Sequence, residues 1–313
     1  MGKIAFVFPG QGAQAIGMGK DLVETDAAAR RRYEEADEAL GFALSRIILE
    51  GPEAELKATA NTQPALLTAS IVYLERFQSI HGLQPDYVAG HSLGEYSALV
   101  AAGVLSFAEA VSTVRARGEF MEAAVPSGQG AMAAVLGAER EALQTLCESI
   151  SAGGHPVELA NLNCPGQIVI SGSVAGVQAV VEQGKEAAGA KRVIPLEVSG
   201  PFHSSLMRPA SERLAAVLEG VAMNRAAVPV VANASAKPVQ EPEEIRQLLV
   251  EQVHASVLWE DSVAWLIAQG VDTFIEFGSG SVLAGLIKKI DRSVKVYSIN
   301  SLEALEQFQL TTA

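Results

Sequence analysis

Ser92 is the residue of this chain whose surroundings best fit nucleophilic chemistry. It lies in a Gly-x-Ser-x-Gly motif, residues 90–94, which follows a short apolar run and precedes the Ala-rich, helix-like stretch 96–102. A strand, a sharp turn and a helix in this order are typical of a nucleophile elbow, where glycines leave room for a strained serine. The free N–H groups at the start of the helix would also favour an oxyanion. The alternative is an ordinary turn in a glycine-rich chain, which the flanking elements disfavour, so we predict that Ser92 is a nucleophile.

A serine nucleophile needs a general base near neutral pH, and histidine is the usual one. The chain has five histidines. His91 adjoins the serine, and its side chain should diverge from it, whereas His81 and His155 lie in apparent loops. His203 and His254 remain, and spacing alone does not choose between them. A hydrolase of the esterase type would also carry an acid between serine and histidine in chain order, and none is evident.

A glycine-rich turn after the first strand offers a different chemistry. Gly10-x-Gly12-x-x-Ala15 matches a dinucleotide-binding fingerprint, which requires a second strand ending in an acidic residue about twenty residues further on. Residues 27–36 are instead helical in composition and charge pattern, which disfavours that interpretation. The backbone N–H groups of such a turn could equally serve an oxyanion.

The charge and composition exclude several classes of protein. A net charge of −13 disfavours nucleic acid as a partner, and an anionic ligand would need a local basic patch, for which residues 288–295 are a candidate. No apolar run reaches the ~20 residues of a membrane span, and no signal peptide is evident. Cys147 and Cys164 are therefore expected to be free thiols in the cytoplasm, Cys164 in a loop. Arg115 and Arg117 lie on a predicted helix, where arginines are usually solvated.

The order of predicted elements indicates an α/β protein with a parallel sheet and an insert. Strands alternate with helices at both ends of the chain, which favours a parallel sheet covered on both faces. Between them a strand–helix–strand–strand–helix–strand order predicts a ferredoxin-like unit. Its elements are predicted at 131–136, 139–151, 157–162, 167–171, 174–188 and 192–198. The other predicted strands lie at 3–8, 228–232, 273–277 and 294–299. A helix is predicted at 65–80, with Thr62 as its cap. Further helices are predicted at 106–124, 204–220, 241–252 and 258–269, and another begins at 281.

Seven segments together resemble the malonyl-CoA:acyl-carrier-protein transacylases, in the same order and over nearly the whole chain. These segments are Phe8-Pro9-Gly10-Gln11-Gly12, Thr62-Gln63-Pro64-Ala65, Gly90-His91-Ser92-Leu93-Gly94-Glu95, Arg117-Gly118, Asn161-Leu162-Asn163-x-Pro165-Gly166-Gln167, Phe202-His203-Ser204 and Glu276-Phe277-Gly278. The resemblance implies an α/β-hydrolase-like catalytic domain, residues 1–126 and 199–313, with a ferredoxin-like insert, residues 127–198. One departure is the sequence at 278–283, which lacks the basic residue that many relatives carry there.

The resemblance also implies a role for each site residue. Ser92 would take the acyl group, His203 would be its base, and the backbone carbonyl of Gln252 would orient the histidine in place of an acid. The N–H groups of Gln11 and Leu93 would form the oxyanion hole. Three further residues would bind substrate: Arg117 through the malonate carboxylate, Phe202 beside the acyl group and Asn163 near the cleft.

The function implied is transfer of malonyl from malonyl-CoA to the phosphopantetheine thiol of acyl carrier protein, in fatty-acid biosynthesis. The alternatives are a standalone malonyl acyltransferase of a polyketide synthase, an acyl hydrolase, which Arg117 disfavours, and an inactive carrier-binding module. We expect a cytoplasmic monomer with acyl carrier protein and a CoA thioester as partners. Cofactors, metal ions, nucleic acid and membranes are not expected.

Overall fold

The computed structural model describes residues 2–310 and forms two β-sheets surrounded by helices. The strands are β1 (Lys3–Phe8), β2 (Tyr87–Gly90), β3 (Gly130–Leu136), β4 (Val157–Cys164), β5 (Gln167–Ser173), β6 (Arg192–Pro195), β7 (Val230–Val231), β8 (Pro238–Val239), β9 (Val271–Phe277) and β10 (Lys295–Ile299). The six-stranded sheet has the order β10-β9-β1-β2-β7-β8, and its strands are parallel except for the β7–β8 pair.

The second sheet is antiparallel, and all of its strands come from one stretch of chain. Its order is β4-β5-β3-β6, and helices connect β3 to β4 and β5 to β6. The sheet has its own apolar core, which includes Val135, Leu143, Ile170 and Val180. The protein is therefore a mixed α/β structure in which an antiparallel unit interrupts a mainly parallel sheet.

The helices cover both faces of the larger sheet and one side of the smaller. They are α1 (Lys20–Thr25), α2 (Ala27–Leu40), α3 (Leu44–Glu50), α4 (Glu53–Lys57), α5 (Thr59–His81), α6 (Gly94–Ala101), α7 (Phe107–Ala123), α8 (Arg140–Ala152), α9 (Val174–Ala188), α10 (Arg208–Glu219), α11 (Pro242–Gln252), α12 (Trp259–Ala268), α13 (Val282–Ile290) and α14 (Leu302–Gln307), with a 3₁₀ turn at Ser205–Met207. None of the helices within residues 2–310 is both long and apolar enough to cross a membrane.

The start of α5 differs from the prediction and matters for the site. Thr62 was predicted to cap this helix, but the helix begins at Thr59 and contains Pro64. Thr62 is buried in the first turns, and its hydroxyl donates to the carbonyl of Leu56 at 2.5 Å. The extra turn packs closely against Gly118 of α7. The approach is too close for a larger residue there, because a Cβ added at Gly118 would lie 2.7 Å from the Cα of Ala60. This packing outweighs the tendency of proline to end a helix, because it buries Thr59, Ala60 and Thr62.

Several smaller predictions were also wrong at element ends. Strand β6 ends at Pro195 rather than at residue 198, and Cys164 is the last residue of β4 rather than part of a loop. Helices α3, α4 and α14 were not predicted. Each has seven residues or fewer, too short for a helical apolar period to be distinguished from a loop.

Candidate active site

Ser92 occupies a strained turn between β2 and α6. Its φ of 51° lies in the left-handed region, which residues other than glycine seldom adopt. The flanking glycines are required by contact distances: a Cβ at Gly90 would lie 1.9 Å from the carbonyl carbon of Gly94, and one at Gly94 would lie 2.1 Å from the carbonyl oxygen of Phe8. The predicted elbow is therefore present, and the turn presents the serine at the carboxyl end of a central parallel strand.

His203 is the histidine that reaches Ser92. Its Nε2 lies 2.7 Å from Ser92 Oγ, and its Nδ1 lies 2.8 Å from the carbonyl oxygen of Gln252. A carbonyl can only accept, so Nδ1 carries the proton and Nε2 is left to accept from the serine hydroxyl. His254, the other candidate, lines a separate cleft with Cys147. Of the two candidates, only His203 is thus within hydrogen-bonding distance of Ser92 in the described structure.

The position of Gln252 explains why a carbonyl can replace an acid. Gln252 is the last residue of α11 and is fully buried. The last carbonyls of a helix have no partner within it, so this one is free to accept from His203. The φ of His203 is 56°, so Ser92 and His203 are two of the three non-glycine residues with positive φ in the described chain.

The environment keeps the His203 imidazole neutral. Burial lowers its pKa to about 3, and the neighbouring Arg117 guanidinium acts in the same direction. The ring is therefore available as a proton acceptor throughout the neutral range.

Two backbone N–H groups near Ser92 are free to bind an oxyanion. Within residues 2–310 neither Gln11 N nor Leu93 N donates to a protein acceptor. Leu93 precedes the first residue of α6, and Gln11 lies in the turn after β1. The end of β1 is joined to the Ser92 turn by a hydrogen bond from His91 N to Phe8 O at 3.0 Å. Gln11, Leu93, Ser92 and His203 all line one cavity of about 110 Å³.

Arg117 is a buried cation without a carboxylate partner. Its side chain is 1% exposed, which contradicts the expectation that an arginine on this helix is solvated. Its Nη1 donates to Gln63 Oε1 at 2.8 Å, and its Nη2 donates to Gln252 Oε1 at 2.9 Å and to Ser92 Oγ at 3.1 Å. No ion pair among the described residues includes it. A buried charge held only by neutral acceptors is suited to an anionic ligand.

The other predicted substrate residues lie on the walls of the site. Phe202 is 6% exposed and lines the cavity of Ser92, while it also belongs to the main core. Asn163 lies instead in an adjoining cleft of about 440 Å³, which shares Gln11 and His91 with the cavity. Its Oδ1 accepts from His91 Nε2 at 2.8 Å, so Asn163 contacts the nucleophile's neighbour rather than the nucleophile.

Three residues near Ser92 were not given a role by the sequence: Gln63, Glu95 and Asn233. Gln63 and Glu95 belong to quoted motifs, but nothing in their spacing marks a function. Asn233 follows β7, and a polar residue at the carboxyl end of a parallel strand is a signal that could have been used. Glu95 is 2% exposed, and burial raises its pKa from 4.5 to about 7.

Glu95→Gln should stabilise the protein increasingly as the pH rises. Because the folded-state pKa of about 7 exceeds the ordinary 4.5, the unfolded chain releases its proton first, and folding becomes less favourable as the pH rises between these values. Glutamine has no such proton. The free energy of unfolding of Glu95→Gln relative to that of the parent should therefore rise by up to roughly 3 kcal/mol between about pH 4.5 and pH 8, as measured by urea unfolding. A difference in unfolding free energy that does not change with pH would contradict the buried titration of Glu95.

Comparisons with known proteins agree with this geometry. The model of the acyl transferase domain family matches residues 5–305. The malonyl CoA-acyl carrier protein transacylase of Bacillus subtilis (strain 168) is 56% identical over 306 residues, covering 98% of this chain and 96% of the relative. An acyl carrier protein S-malonyltransferase from Vibrio cholerae, solved by crystallography, has a TM-score of 0.94 at 43% identity, covering 97% of this chain and 99% of that one.

A further solved structure contains a malonyl-transacylase in complex with a type II PKS acyl-carrier protein. Its TM-score is 0.94 at 42% identity, and the match covers 97% of this chain and 98% of that one. The similarity therefore extends over full lengths in both sequence and structure. The chain belongs to the acyl transferase domain family and, within it, to the malonyl-CoA:acyl-carrier-protein transacylases.

Proposed function

We propose that this chain transfers malonyl from malonyl-CoA to the phosphopantetheine thiol of an acyl carrier protein through a malonyl-Ser92 intermediate. The observation that carries the proposal is the position of Arg117. A buried guanidinium without a carboxylate partner lies 3.1 Å from the nucleophilic oxygen, where the free carboxylate of a malonyl group would complete an ion pair. The transacylase and malonyltransferase relatives support the same reaction.

The first half-reaction follows from the hydrogen bonds of the site. Ser92 gives its proton to His203 Nε2 as Oγ bonds to the thioester carbon. The carbonyl oxygen becomes an oxyanion and accepts from the N–H groups of Gln11 and Leu93. When the intermediate collapses, the carbon–sulfur bond breaks, the leaving thiolate takes the proton from His203, and malonyl-Ser92 remains.

The second half-reaction repeats these steps with the thiol of the carrier. His203 accepts the thiol proton as sulfur bonds to the ester carbonyl carbon; the bond between that carbon and Ser92 Oγ then breaks, and Oγ takes the proton back from His203. Throughout, the carbonyl of Gln252 holds the imidazole in the required tautomer. Each step uses a side chain or backbone group of this chain, so the proposal includes no cofactor or metal ion.

Arg117→Ala should remove the preference for an acyl group with a free carboxylate. Loss of one partner from a buried charge pair costs roughly 3–5 kcal/mol, so kcat/KM for malonyl-CoA should fall by about 10²–10³-fold or more. Acetyl-CoA has no carboxylate and should lose far less. The measurement is acylation of Ser92 by both thioesters, followed by intact mass spectrometry. Equal losses for the two substrates would mean that Arg117 is only structural.

The adjoining cleft suits the arm that carries the thioester. It is about 440 Å³, shares the lining residues Gln11 and His91 with the cavity, and also includes Asn163 and Lys57. We place the pantetheine arm there, with Asn163 among its contacts. This arrangement favours transfer over hydrolysis, because an occupied cleft keeps water from the serine ester.

The pathway and the finer architecture also belong to this proposal. We assign the transfer to fatty-acid biosynthesis, and the alternative is a polyketide synthase, which the carrier complex of one relative supports. We further propose a cytoplasmic monomer, which the free thiols of Cys147 and Cys164 fit. The strand orders support an α/β-hydrolase-like domain, residues 1–126 and 199–313, with a ferredoxin-like insert, residues 127–198.

One experiment tests the main proposal. The protein is incubated with malonyl-CoA, and intact mass spectrometry should show one malonyl adduct on Ser92. Addition of phosphopantetheinylated acyl carrier protein should discharge that adduct and load the carrier. An adduct that is hydrolysed by water but is never passed to the carrier would contradict the proposed transfer. Parallel trials with fatty-acid and polyketide carriers would decide between the two pathways.

Phe202→Ser should widen the range of acyl groups accepted. The ring lines the cavity of Ser92, and its bulk occupies space that an α-methyl group would need. One methyl group in an apolar pocket is worth ~1–3 kcal/mol, so kcat/KM for methylmalonyl-CoA relative to malonyl-CoA should rise by ~10–200-fold. An unchanged ratio in a folded, active variant would assign Phe202 to the core alone.

A further inference from the structure

The backbone of Ser92 is held from both sides by side chains of distant segments. Its N–H donates to Asn233 Oδ1 at 2.6 Å, and its carbonyl accepts from Gln252 Nε2 at 3.0 Å. Asn233 Nδ2 also donates to the carbonyl of Gly90 at 2.7 Å. Asn233 therefore spans the turn, bonding to the residue that enters it and to the serine at its tip. A serine with a φ of 51° needs this kind of support, because strained backbone persists only where its surroundings determine it.

A single carboxylate connects Asn233 and Gln252. Glu95 Oε2 accepts from the backbone N–H of Asn233 at 3.0 Å and from Gln252 Nε2 at 2.8 Å. Glu95 lies in the first turn of α6, where the helix dipole favours an acidic group, and it is 2% exposed. Neither oxygen reaches the substrate cavity, since Glu95 is absent from its lining.

Gln252 extends the same network to the base. Its side chain bonds to Ser92 and Glu95, while its carbonyl accepts from His203 Nδ1 at 2.8 Å. One residue thus fixes both the nucleophile and the base. The Ser92–His203 distance of 2.7 Å depends on where these anchors hold the two residues.

We propose that Glu95, Asn233 and the side chain of Gln252 are positioning residues, which hold the Ser92 turn in register with His203 and its neighbouring N–H groups. The inference rests on the proposed function in one respect, the role of Ser92 as nucleophile. It adds that serine reactivity depends on three side chains that need not touch the acyl group.

The test measures serine reactivity without malonate. Phenylmethanesulfonyl fluoride is neutral and lacks a carboxylate, and it forms an Oγ–sulfur bond as fluoride leaves and the serine proton passes to His203. Asn233→Ala and Glu95→Ala should lower the labelling rate per folded molecule by ~10²-fold, the usual effect of about 1 Å of misplacement. The KM for malonyl-CoA of Asn233→Ala should change little, because Asn233 does not contact Arg117. Labelling at the parent rate in both variants would overturn the proposal.

Two further variants separate positioning from stability. Glu95→Gln keeps a carbonyl oxygen for both donors and should restore labelling to within a few-fold of the parent. Glu276→Gln is the matched control: Glu276 is also a fully buried carboxylate that accepts two backbone N–H groups, from Leu283 and Ala284. It should lower the melting temperature and leave the labelling rate unchanged. If Glu276→Gln lost labelling to the same extent, lower stability alone would explain the slower labelling, and the positioning role would be contradicted.

The result also distinguishes this inference from the proposed function. If the parent is labelled on Ser92 but takes no malonyl from malonyl-CoA, the proposed function fails and the positioning network stands. If the parent is not labelled at all, both fail. Where Asn233→Ala or Glu95→Ala does not fold, Asn233→Asp replaces it: it keeps the acceptor for Ser92 N–H, loses the bond to Gly90 and should also label more slowly than the parent.

Discussion

Ser92→Ala should abolish both the malonyl adduct and transfer to the carrier. The substitution removes only Oγ and leaves the backbone bonds from Ser92 N to Asn233 and from Gln252 to Ser92 O in place. The fold should therefore be retained, and the rate should fall to the level of the uncatalysed reaction within detection. The measurement is intact mass after incubation with malonyl-CoA, with circular dichroism to verify the fold.

Ser97→Ala provides a matched control on α6, the helix that follows the Ser92 turn. Ser97 is fully buried, and its Oγ has no hydrogen-bond partner among residues 2–310, so removing it should change neither the adduct nor the transfer rate. A malonyl adduct that persists in Ser92→Ala would place the nucleophile elsewhere. Peptide mapping of that adduct would then identify the acylated residue.

His203→Ala should slow acylation of Ser92 by ~10²–10⁴-fold, the usual contribution of a positioned general base. The imidazole is the only described group that accepts from Ser92 Oγ, because the other contact to this oxygen is a donation from Arg117. Stopped-flow measurement of the acylation rate would give the factor directly. KM should change less than kcat, since the ring acts on the reacting proton.

His254→Ala tests the same assignment from the other side. His254 lies two residues beyond Gln252 but lines a different cleft, so its loss should leave acylation within a few-fold of the parent. If His254→Ala were inactive and His203→Ala active, the pairing seen in the structure would not be the one used in catalysis.

The elbow and the antiparallel unit could be predicted because local rules determine them. A turn between Gly90 and Gly94 has steric reasons that act within a few residues, and the alternating elements of the smaller sheet keep their own core. The capping box of Ser106 and Glu109 at the start of α7 is equally local, because its hydrogen bonds lie within four residues. Such features depend on short-range contacts, which are visible in the sequence.

The remainder of the site depends on contacts between segments that are distant in the chain. The pairing of Ser92 with His203 joins residues 111 positions apart, and spacing alone could not prefer His203 to His254. The burial of Arg117 follows from the packing of α5 on Gly118, which no helical period encodes. Glu95 and Asn233 are 138 positions apart in the sequence, and their contact could be found only in the folded structure.

The small antiparallel unit supplies walls to the acyl cavity but none of its reacting groups. Met132 of β3 and Asn161 of β4 line the cavity, as do Leu196 and Val198 just after β6, whereas Ser92, Arg117 and His203 come from the rest of the chain. The antiparallel unit thus contributes part of the cavity wall, while Phe202 and the three polar residues come from elsewhere in the chain. Changes confined to the antiparallel unit would therefore reshape one wall of the cavity while Ser92, Arg117 and His203 stayed in place.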